Sequence, residues 1–322
     1  MSADEKPETD GGKNMDKDWQ RIAVIGCGLM GASWASLFLA HGFDVVAHDP
    51  APGAEDKLRQ FVRHALMQLR ELGHRGEGEL LFKPKLSDAL DGVDFVQENA
   101  PEKEALKRQL LAEMDAILTP AVIVASSTSA LVRSRIVADC KRASRFIVAH
   151  PFNPPHLVPL VEIVGVDNAV VERACQFYRS VGRRPVVLRR EMPGHIANRL
   201  SSALYREAVY LVEQGVASVA DIDAAVCDGP GLRWAIMGPH MTYHLGGGQG
   251  GIAHYLSHLG PSQVARWASL GNPTLGPEVQ KCIVEGVAEE AAGRSIADLE
   301  QERDRMLMGI LRLRSEMKKG KA

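Results

Sequence analysis

The sequence predicts an α/β protein in which a doubly wound parallel sheet is followed by an all-helical domain. Early in the chain, "RIAVIG", "LMGASWASLFLAHG" and "FDVVAHD" alternate strand, helix and strand within about thirty residues, the βαβ pattern of a parallel sheet. The alternation continues up to Pro193, after which the strand signals stop. We therefore predict a sheet domain over 19–192 and a helical domain over 193–322, preceded by a polar, disordered leader over 1–18.

The other elements follow from hydrophobic periodicity. Short apolar runs predict five further strands, "VDFVQENA", "AVIVASS", "RFIVAH", "LVEIVG" and "RPVVLRR", separated by helical stretches such as "PEKEALKRQLLAEMDAI". The run "PGHIANRLSSALYREAVYLVEQG" predicts a long amphipathic helix that begins at Pro193 and ends at Gly215. The chain closes with a charged helix, "SIADLEQERDRMLMGILRLRSEMKKG".

Composition excludes several classes of function. The chain has 322 residues, 45% of them hydrophobic, and a formal net charge of −2, so it lacks the basic surface that nucleic acids or anionic membranes attract. No apolar run reaches the roughly 20 residues of a membrane helix, and the N-terminus does not read as a signal peptide. Five scattered cysteines without a CxxC pair favour a reducing compartment. We predict a cytoplasmic protein that binds neither nucleic acid nor membrane.

The segment "GCGLMG" lies directly between the first strand and its helix. In that context Gly26 makes a tight turn, Gly28 lets a pyrophosphate approach the backbone, and Gly31 allows close packing of helix and strand. The free N–H groups at the start of the helix, at Leu29 and Met30, together with the helix dipole, bind phosphates. The loop therefore predicts a Rossmann-type dinucleotide site.

Asp49 indicates which dinucleotide binds there. It ends the next strand, about 20 residues after the loop, where an acid hydrogen-bonds the ribose hydroxyls of the adenosine. A 2′-phosphate would meet this carboxylate unfavourably, and Pro50 and Ala51 offer no compensating arginine. We therefore predict NAD rather than NADP.

Hydride transfer to NAD also needs a base that takes the proton of the alcohol, and histidine titrates in the right range. Of the eleven histidines, His150 alone stands at the C-terminal end of a predicted sheet strand, the edge where open α/β sheets bind ligands. Glu162 follows in a second apolar run. From the residues alone, the pair is either a general base with its orienting acid or a core histidine satisfied by a carboxylate.

Four motifs resemble, in order and spacing, those of the L-3-hydroxyacyl-CoA dehydrogenase family: "SSTS" (126–129), "HPFNP" (150–154), "LVEIVG" (160–165) and "PGHIANRL" (193–200). "QENAPEKEALK" (97–107) is similar to the cofactor-side segment of that family, and the resemblance covers nearly the whole chain from Arg21. "GLRWAIMGPHMTYHLGGG" (231–248) looks most like the shorter members that act on free hydroxy acids, the L-gulonate 3-dehydrogenase and L-carnitine dehydrogenase types.

The resemblance implies a role for each matching residue. His150 would be the general base, and Glu162 would orient it and favour the imidazolium. Asn198 and Ser129 would hydrogen-bond the oxygen at C3 as it becomes a carbonyl. The implied reaction is the oxidation of a small L-3-hydroxy acid, gulonate-like or carnitine-like, to the 3-oxo acid, with the hydride passing to NAD.

Further residues would contact the cofactor and the substrate. By resemblance, Glu102, Lys107 and Asn153 would lie on the ribose and nicotinamide side of NAD. Arg233 has the planar fork that suits a free carboxylate, which a CoA thioester does not carry. A carnitine-like substrate would need an aromatic cage for its quaternary ammonium, to which Trp234 and three other aromatic residues are candidates.

Several alternatives remain at this stage. The substrate could be a CoA thioester, or the chain could be a non-catalytic binding or structural protein like the lens crystallins of this family. The pairs His240/His244 and His254/His258 have the spacing of one helix face, but "GGGQGG" lies between them and no carboxylate or cysteine shares the spacing, so we predict no metal. The apolar helices and the family resemblance predict a homodimer through the helical domain.

Overall fold

The chain separates into two compact units after Pro193. The computed structural model describes residues 19–319, so the leader predicted over 1–18 lies outside the described residues. In the described part, all strands belong to the first unit and the second unit contains only helices. The predicted fold class, a doubly wound Rossmann-type sheet followed by a helical domain, is confirmed.

The described part of the first unit contains one eight-stranded sheet. Its strands are β1 (Arg21–Ile25), β2 (Asp44–His48), β3 (Leu80–Phe82), β4 (Phe95–Glu98), β5 (Ile123–Ser126), β6 (Phe146–Pro151), β7 (Leu160–Val164) and β8 (Arg184–Val187). Its helices are α1 (Leu29–Ala40), α2 (Ala54–Glu71), α3 (Leu86–Ala89), α4 (Glu104–Ile117), α5 (Arg133–Ile136) and α6 (Asn168–Ser180).

The strand order in the sheet is β3-β2-β1-β4-β5-β6-β7-β8. Strands β1 to β6 are parallel to their neighbours, whereas β7 runs antiparallel to β6 and β8 runs parallel to β7. The carboxyl ends of β1, β4, β5 and β6 therefore lie along one edge, the position at which sheets of this type bind ligands.

The core of this unit lies on both faces of the sheet, because successive side chains of a strand point to opposite sides. Ile22 and Val24 of β1 belong to the apolar layer that α1 and α6 cover, whereas Ala23 and Ile25 belong to the layer under α3 and α4. In the first layer the aromatic residues of α1 and α6 pack together, and Phe177 stacks on a sheet residue with a ring-centroid distance of 4.1 Å. The buried layers make the carboxyl edge a rigid support.

The second unit consists of helices with little apolar core of their own. They are α7 (Ala197–Glu213), α8 (Val219–Val226), α9 (Leu232–Trp234), α10 (Pro239–Gly246), α11 (Gly251–Ser269), α12 (Pro277–Ala291) and α13 (Ile296–Lys319). In the described part of this unit, the buried apolar side chains are Val209, Ile222 and Met308. Large apolar side chains such as Leu256, Val264 and Val284 are exposed. The helices therefore present an extended apolar surface.

The start of α7 differs from the prediction. The sequence predicts a helix from Pro193, but α7 begins at Ala197. Gly194 and His195 have φ values of +74° and +50°, which lie in the left-handed region and cannot belong to a right-handed helix. The proline therefore precedes a turn rather than the first turn of the helix.

Candidate active site

Most of the residues that the sequence singles out lie along the carboxyl edge of the sheet. The glycine loop follows β1, Asp49 follows β2, Ser129 lies in the loop after β5, and His150 is the penultimate residue of β6. The loop after β4 leads to Glu102 and into α4. Groups from five parallel strands thus meet at one edge.

The glycine loop packs tightly against the protein at Gly26 and Gly31 and is open at Gly28. A Cβ atom at Gly26, whose φ is +88°, would lie 2.7 Å from the backbone of Asn99, and one at Gly31 would lie 1.8 Å from the carbonyl oxygen of Gly26. Gly28 is the N-cap of α1, and a Cβ atom there would meet nothing within 4 Å. The first N–H groups of α1, among them those of Leu29 and Met30, have no acceptor within the helix. This cradle fits a dinucleotide pyrophosphate.

The carboxylate of Asp49 is held in place by the backbone. Its Oδ2 accepts a hydrogen bond from the N–H of Cys27 at 2.7 Å, and its Oδ1 accepts one from the N–H of Ala51 at 2.8 Å. One further lone pair on each oxygen can accept from the hydroxyls of a ribose. Burial, and then the negative charge of Asp49, raises the pKa of the Cys27 thiol to about 12, so this cysteine stays protonated at neutral pH.

His150 and Glu162 lie directly opposite each other in the antiparallel pair of β6 and β7. Nδ1 of the histidine is 2.9 Å from Oε2 of the glutamate, and their side chains are only 5% and 1% exposed. The ring of Phe152 meets the imidazole edge-on at a centroid distance of 5.8 Å. Because Nδ1 donates to the carboxylate, Nε2 is the nitrogen that carries the lone pair and can accept a proton.

Lys107 is buried on α4 and its ammonium faces two carboxylates. Its Nζ donates to Oε1 of Glu98 at 2.7 Å and to the carbonyl oxygen of Ala100 at 2.9 Å, and it lies 3.9 Å from Oε2 of Glu102. Glu98, at the end of β4, also accepts a hydrogen bond from the hydroxyl of Ser126 at the end of β5. The ammonium therefore links the ends of two strands to Glu102.

Glu102 in turn fixes the loop that contains Ser129. Its Oε1 accepts hydrogen bonds from the hydroxyl of Thr128 at 2.6 Å and from the N–H groups of Ser129 and Ala130, each at 2.9 Å. Burial acts to raise the pKa of Glu102, but these hydrogen bonds and the charge of Lys107 outweigh it and hold the pKa below its usual value. Glu102 is therefore ionised at neutral pH.

Glu98 belongs to this cluster, and the sequence analysis did not identify it. The only signal in the sequence is an acid at the end of the apolar run "DFVQE", where a free carboxylate would be costly to bury. The partner that makes its burial possible, Lys107, lies on the next helix and is recognised only from the structure.

The remaining predicted residues lie in the turn after β6 and in the helical unit. Asn153 is exposed and precedes a cis peptide bond to Pro154. Asn198 is the second residue of α7, and Arg233 and Trp234 lie at the end of the short helix α9 with exposed side chains. Their part in a common site with His150 stays a prediction.

Residues 19–319 offer neither a metal site nor a membrane-spanning helix. That region contains no group of three or more His, Cys, Asp or Glu side chains that could hold a metal ion. It also contains no helix that combines the length and the apolar character needed to cross a bilayer.

Sequence profiles of known families match both parts of the chain. The profile described as 3-hydroxyacyl-CoA dehydrogenase, NAD binding domain, matches residues 21–192, and the C-terminal domain of the same family matches residues 194–272. The chain belongs to the 3-hydroxyacyl-CoA dehydrogenase family. The family predicted from the motifs is thereby confirmed, and so is NAD as the cofactor.

Individual relatives cover nearly the whole of this dehydrogenase. It is 47% identical to the L-carnitine dehydrogenase of Streptomyces coelicolor over 300 residues, which are 91% of this chain and 94% of that protein. It is 44% identical to the L-carnitine dehydrogenase of Bacillus cereus, over 94% of each chain. The crystal structure of 5-formyl-3-hydroxy-2-methylpyridine 4-carboxylic acid 5-dehydrogenase, an NAD-dependent dismutase, superposes with a TM-score of 0.79 at 30% identity and covers 92% of this chain and 98% of that one. The chain is an NAD-dependent oxidoreductase.

Proposed function

We propose that this dehydrogenase oxidises the 3-hydroxyl group of L-carnitine to the 3-oxo acid, with NAD as the hydride acceptor. The observation that carries the reaction is the buried pair of His150 and Glu162 at the carboxyl edge of an NAD-binding sheet. The choice of L-carnitine, rather than L-gulonate or a CoA thioester, is supported by relatives named L-carnitine dehydrogenase, seven of which are 42–47% identical to this chain.

His150 is the catalytic base in this proposal. Its Nε2 would take the proton of the 3-hydroxyl group, and bound NAD would supply the acceptor for the hydride from C3. Glu162 holds the tautomer in which Nε2 carries the lone pair, and its charge stabilises the imidazolium. Ser129 and Asn198 would donate or accept at the substrate oxygen as its C–O bond gains double-bond character.

When bound, NAD supplies the hydride acceptor, and the groups of this chain hold it. The glycine loop (Gly26, Gly28, Leu29, Met30 and Gly31) takes the pyrophosphate and Asp49 the adenosine ribose. Oε2 of Glu102 lies 3.9 Å from Nζ of Lys107 and would accept from the nicotinamide ribose, while the charge of Lys107 holds that carboxylate in position. Asn153 contributes to the nicotinamide side from the turn after β6.

L-carnitine carries a carboxylate and a quaternary ammonium, and the helical unit offers a group for each. Arg233 would bind the carboxylate through its planar fork, a geometry that lysine does not reproduce. The rings of Tyr243 and Tyr255 pack against each other, with centroids 4.7 Å apart at an interplanar angle of 32°. The outer face of either ring would be the surface that meets the quaternary ammonium. Trp234, which follows Arg233 directly, would extend this cage.

The organisation of the chain completes the proposal. A cofactor domain over 19–192 precedes a substrate domain over 193–322, and the apolar surface of that second domain pairs two copies in a homodimer. The exposed apolar side chains of its helices support this pairing, because monomers rarely expose so many. All five cysteines are free thiols, which suits the cytoplasm.

A substrate panel tests the proposal. The protein is mixed with NAD and, in turn, L-carnitine, L-gulonate, L-3-hydroxybutyrate and L-3-hydroxybutyryl-CoA, and NADH absorbance is followed. We expect the highest kcat/KM with L-carnitine and no NADH formation with D-carnitine as a control. A higher kcat/KM with the CoA thioester would contradict the proposed substrate, and no turnover of any alcohol would favour a binding or structural protein.

A further inference from the structure

The turn from residue 152 to residue 159 joins the catalytic strand β6 to β7. It begins with Phe152, whose ring contacts His150, and with Asn153. Pro154, Pro155 and Pro159 have no N–H group, so the turn has few donors with which to satisfy its own carbonyl oxygens. Within the turn, the N–H groups of Leu157 and Val158 both donate to the same oxygen, that of Pro154. The position of the turn must therefore be set by groups outside it.

Arg183 supplies donors from the segment before β8. Its Nη1 donates to the carbonyl oxygen of Pro155 at 2.7 Å and to that of Val158 at 3.3 Å, and its Nε donates to Val181 at 3.2 Å. The side chain is 9% exposed, and burial lowers its pKa to about 10, so it keeps its charge at neutral pH. Among residues 19–319 no carboxylate lies within ion-pair distance of it.

A buried cation without a carboxylate is costly, so its contacts indicate what it is for. The two carbonyl groups to which Nη1 of Arg183 donates, those of Pro155 and Val158, both belong to the turn. The backbone N–H of Arg184 adds a third hydrogen bond to the turn, to the carbonyl oxygen of Pro159 at 2.6 Å. Nη1 of Arg183 is thus directed at the turn, whereas Nε bonds to Val181 at the end of α6. The guanidinium replaces the backbone donors that the prolines lack.

His156 ties the same turn to the cofactor-binding helix. Its backbone N–H donates to the hydroxyl oxygen of Ser33 on α1 at 2.9 Å, and its Nδ1 lies 2.7 Å from the same oxygen. Because that oxygen accepts from the N–H, its own hydrogen is free to be donated to Nδ1. Nε2 then carries the ring proton and donates to Oε1 of Gln68 on α2 at 2.8 Å. One buried imidazole thus joins the turn to two helices.

We propose that Ser33, His156 and Arg183 are positioning residues that fix the turn after β6 against α1 and so align Asn153 and His150 with the nicotinamide. The N-terminus of α1 receives the pyrophosphate, and Ser33 lies one turn further along the same helix. The cofactor and the turn are therefore held by one rigid element. This inference rests on the proposed function, since it takes His150 as the base and Asn153 as a nicotinamide contact.

Two serines of α1 provide a matched test. Ser33 and Ser36 are both fully buried, but the hydroxyl of Ser36 donates to Ala32 within the helix and does not bond to the turn. We expect Ser33→Ala to lower kcat about tenfold on the best acid of the panel, since a small misplacement of reacting groups has effects of this size. Binding of NAD, followed by fluorescence, should change less than about twofold, because the glycine loop and Asp49 are intact. Ser36→Ala should lose similar thermal stability and keep its kcat.

Two arginines give an independent second arm. Arg133 is also buried and also donates to backbone carbonyls, those of Phe146 and Ala143, but at the far end of β6 from the turn. Lysine cannot bridge two carbonyls as the guanidinium fork does. We expect both Arg183→Lys and Arg133→Lys to lower the melting temperature, and only Arg183→Lys to lower kcat.

The outcomes separate this proposal from the proposed function. If His150→Ala is inactive while Ser33→Ala is as active as Ser36→Ala, or Arg183→Lys is as active as Arg133→Lys, the turn contacts are merely structural and the inference is overturned. If His150→Ala remains active, the proposed mechanism itself fails, whatever the serine variants do.

Discussion

Replacing Glu162 by glutamine tests how much the buried carboxylate contributes to catalysis. The amide keeps the shape and an oxygen that can accept from Nδ1 of His150, but it removes the negative charge and puts an NH2 group in place of the second oxygen. That charge lies 2.9 Å from Nδ1, and neither side chain is more than 5% exposed, so water and salt screen it little.

The expected magnitude follows from this geometry. A hydrogen bond to a charged group contributes about 1.5–3 kcal/mol and a neutral one about 0.5–1.5 kcal/mol. The difference, about 1–2 kcal/mol in stabilisation of the imidazolium, corresponds to a fall in kcat of roughly 5- to 30-fold for Glu162→Gln. His150→Ala should cost more, about 10²–10⁴-fold. Because Glu162 acts only through the imidazole, the double variant should be no slower than His150→Ala.

The assay is NADH formation at saturating NAD and substrate. A substrate deuterated at C3 shows whether hydride transfer limits kcat, and NAD binding by fluorescence shows whether the cofactor site is intact. The reasoning is refuted if Glu162→Gln keeps more than half of kcat while the isotope effect is fully expressed. It is also refuted if adding Glu162→Gln slows His150→Ala further.

Three further predictions concern the cofactor, the fold and the substrate. Asp49→Asn should raise KM for NAD and narrow the preference over NADP; an unchanged preference would contradict the role of the carboxylate. Burial acts to raise the pKa of Asp115, but its hydrogen bonds, including that from Arg145, hold the pKa below its usual value. The ionised Asp115 therefore stabilises the folded protein fully above the unfolded-state pKa of about 3.9, and this stabilisation is lost as the pH falls through the folded-state pKa. Asp115→Asn should accordingly lower the free energy of unfolding in urea by about 3 kcal/mol at pH 7, with a smaller difference at pH 3. Arg233→Lys should raise KM for the acid and leave NAD binding unchanged, whereas lost thermal stability at constant KM would indicate a structural arginine.

Local patterns predicted most of the sheet and the cofactor loop. The glycine loop is recognisable because its turn, its cradle and its helix are set by neighbouring residues. The strand β3 was missed because "LLF" is only three residues long and half-buried at the edge of the sheet, where neither alternation nor a long apolar run is required. Pro193 was a misleading start signal because the two residues after it have positive φ, which the proline does not reveal.

Interactions between distant segments could not be predicted in the same way. Ser33 and His156 are 123 residues apart, and nothing in "GASWAS" or "NPPHLVP" indicates that they touch. The ion pair of Lys107 with Glu98 could not be predicted for a similar reason, because a lysine on an amphipathic helix usually faces water. These contacts depend on how the helices pack on the sheet. The hydrophobic pattern predicts only which face of a helix is buried, not which residues it then meets.

The reversal of β7 makes the pair of His150 and Glu162 possible. Had β7 been parallel to β6, a crossover of a dozen or more residues would separate the two strands, and the acid would come from a remote part of the chain. The antiparallel arrangement needs only the turn 152–159, and it places the two residues in direct register. His150 therefore lies at the carboxyl edge beside its partner Glu162, on a strand whose end is followed directly by that turn. We accordingly expect groups that hold the turn, although distant in sequence, to affect the chemistry at His150.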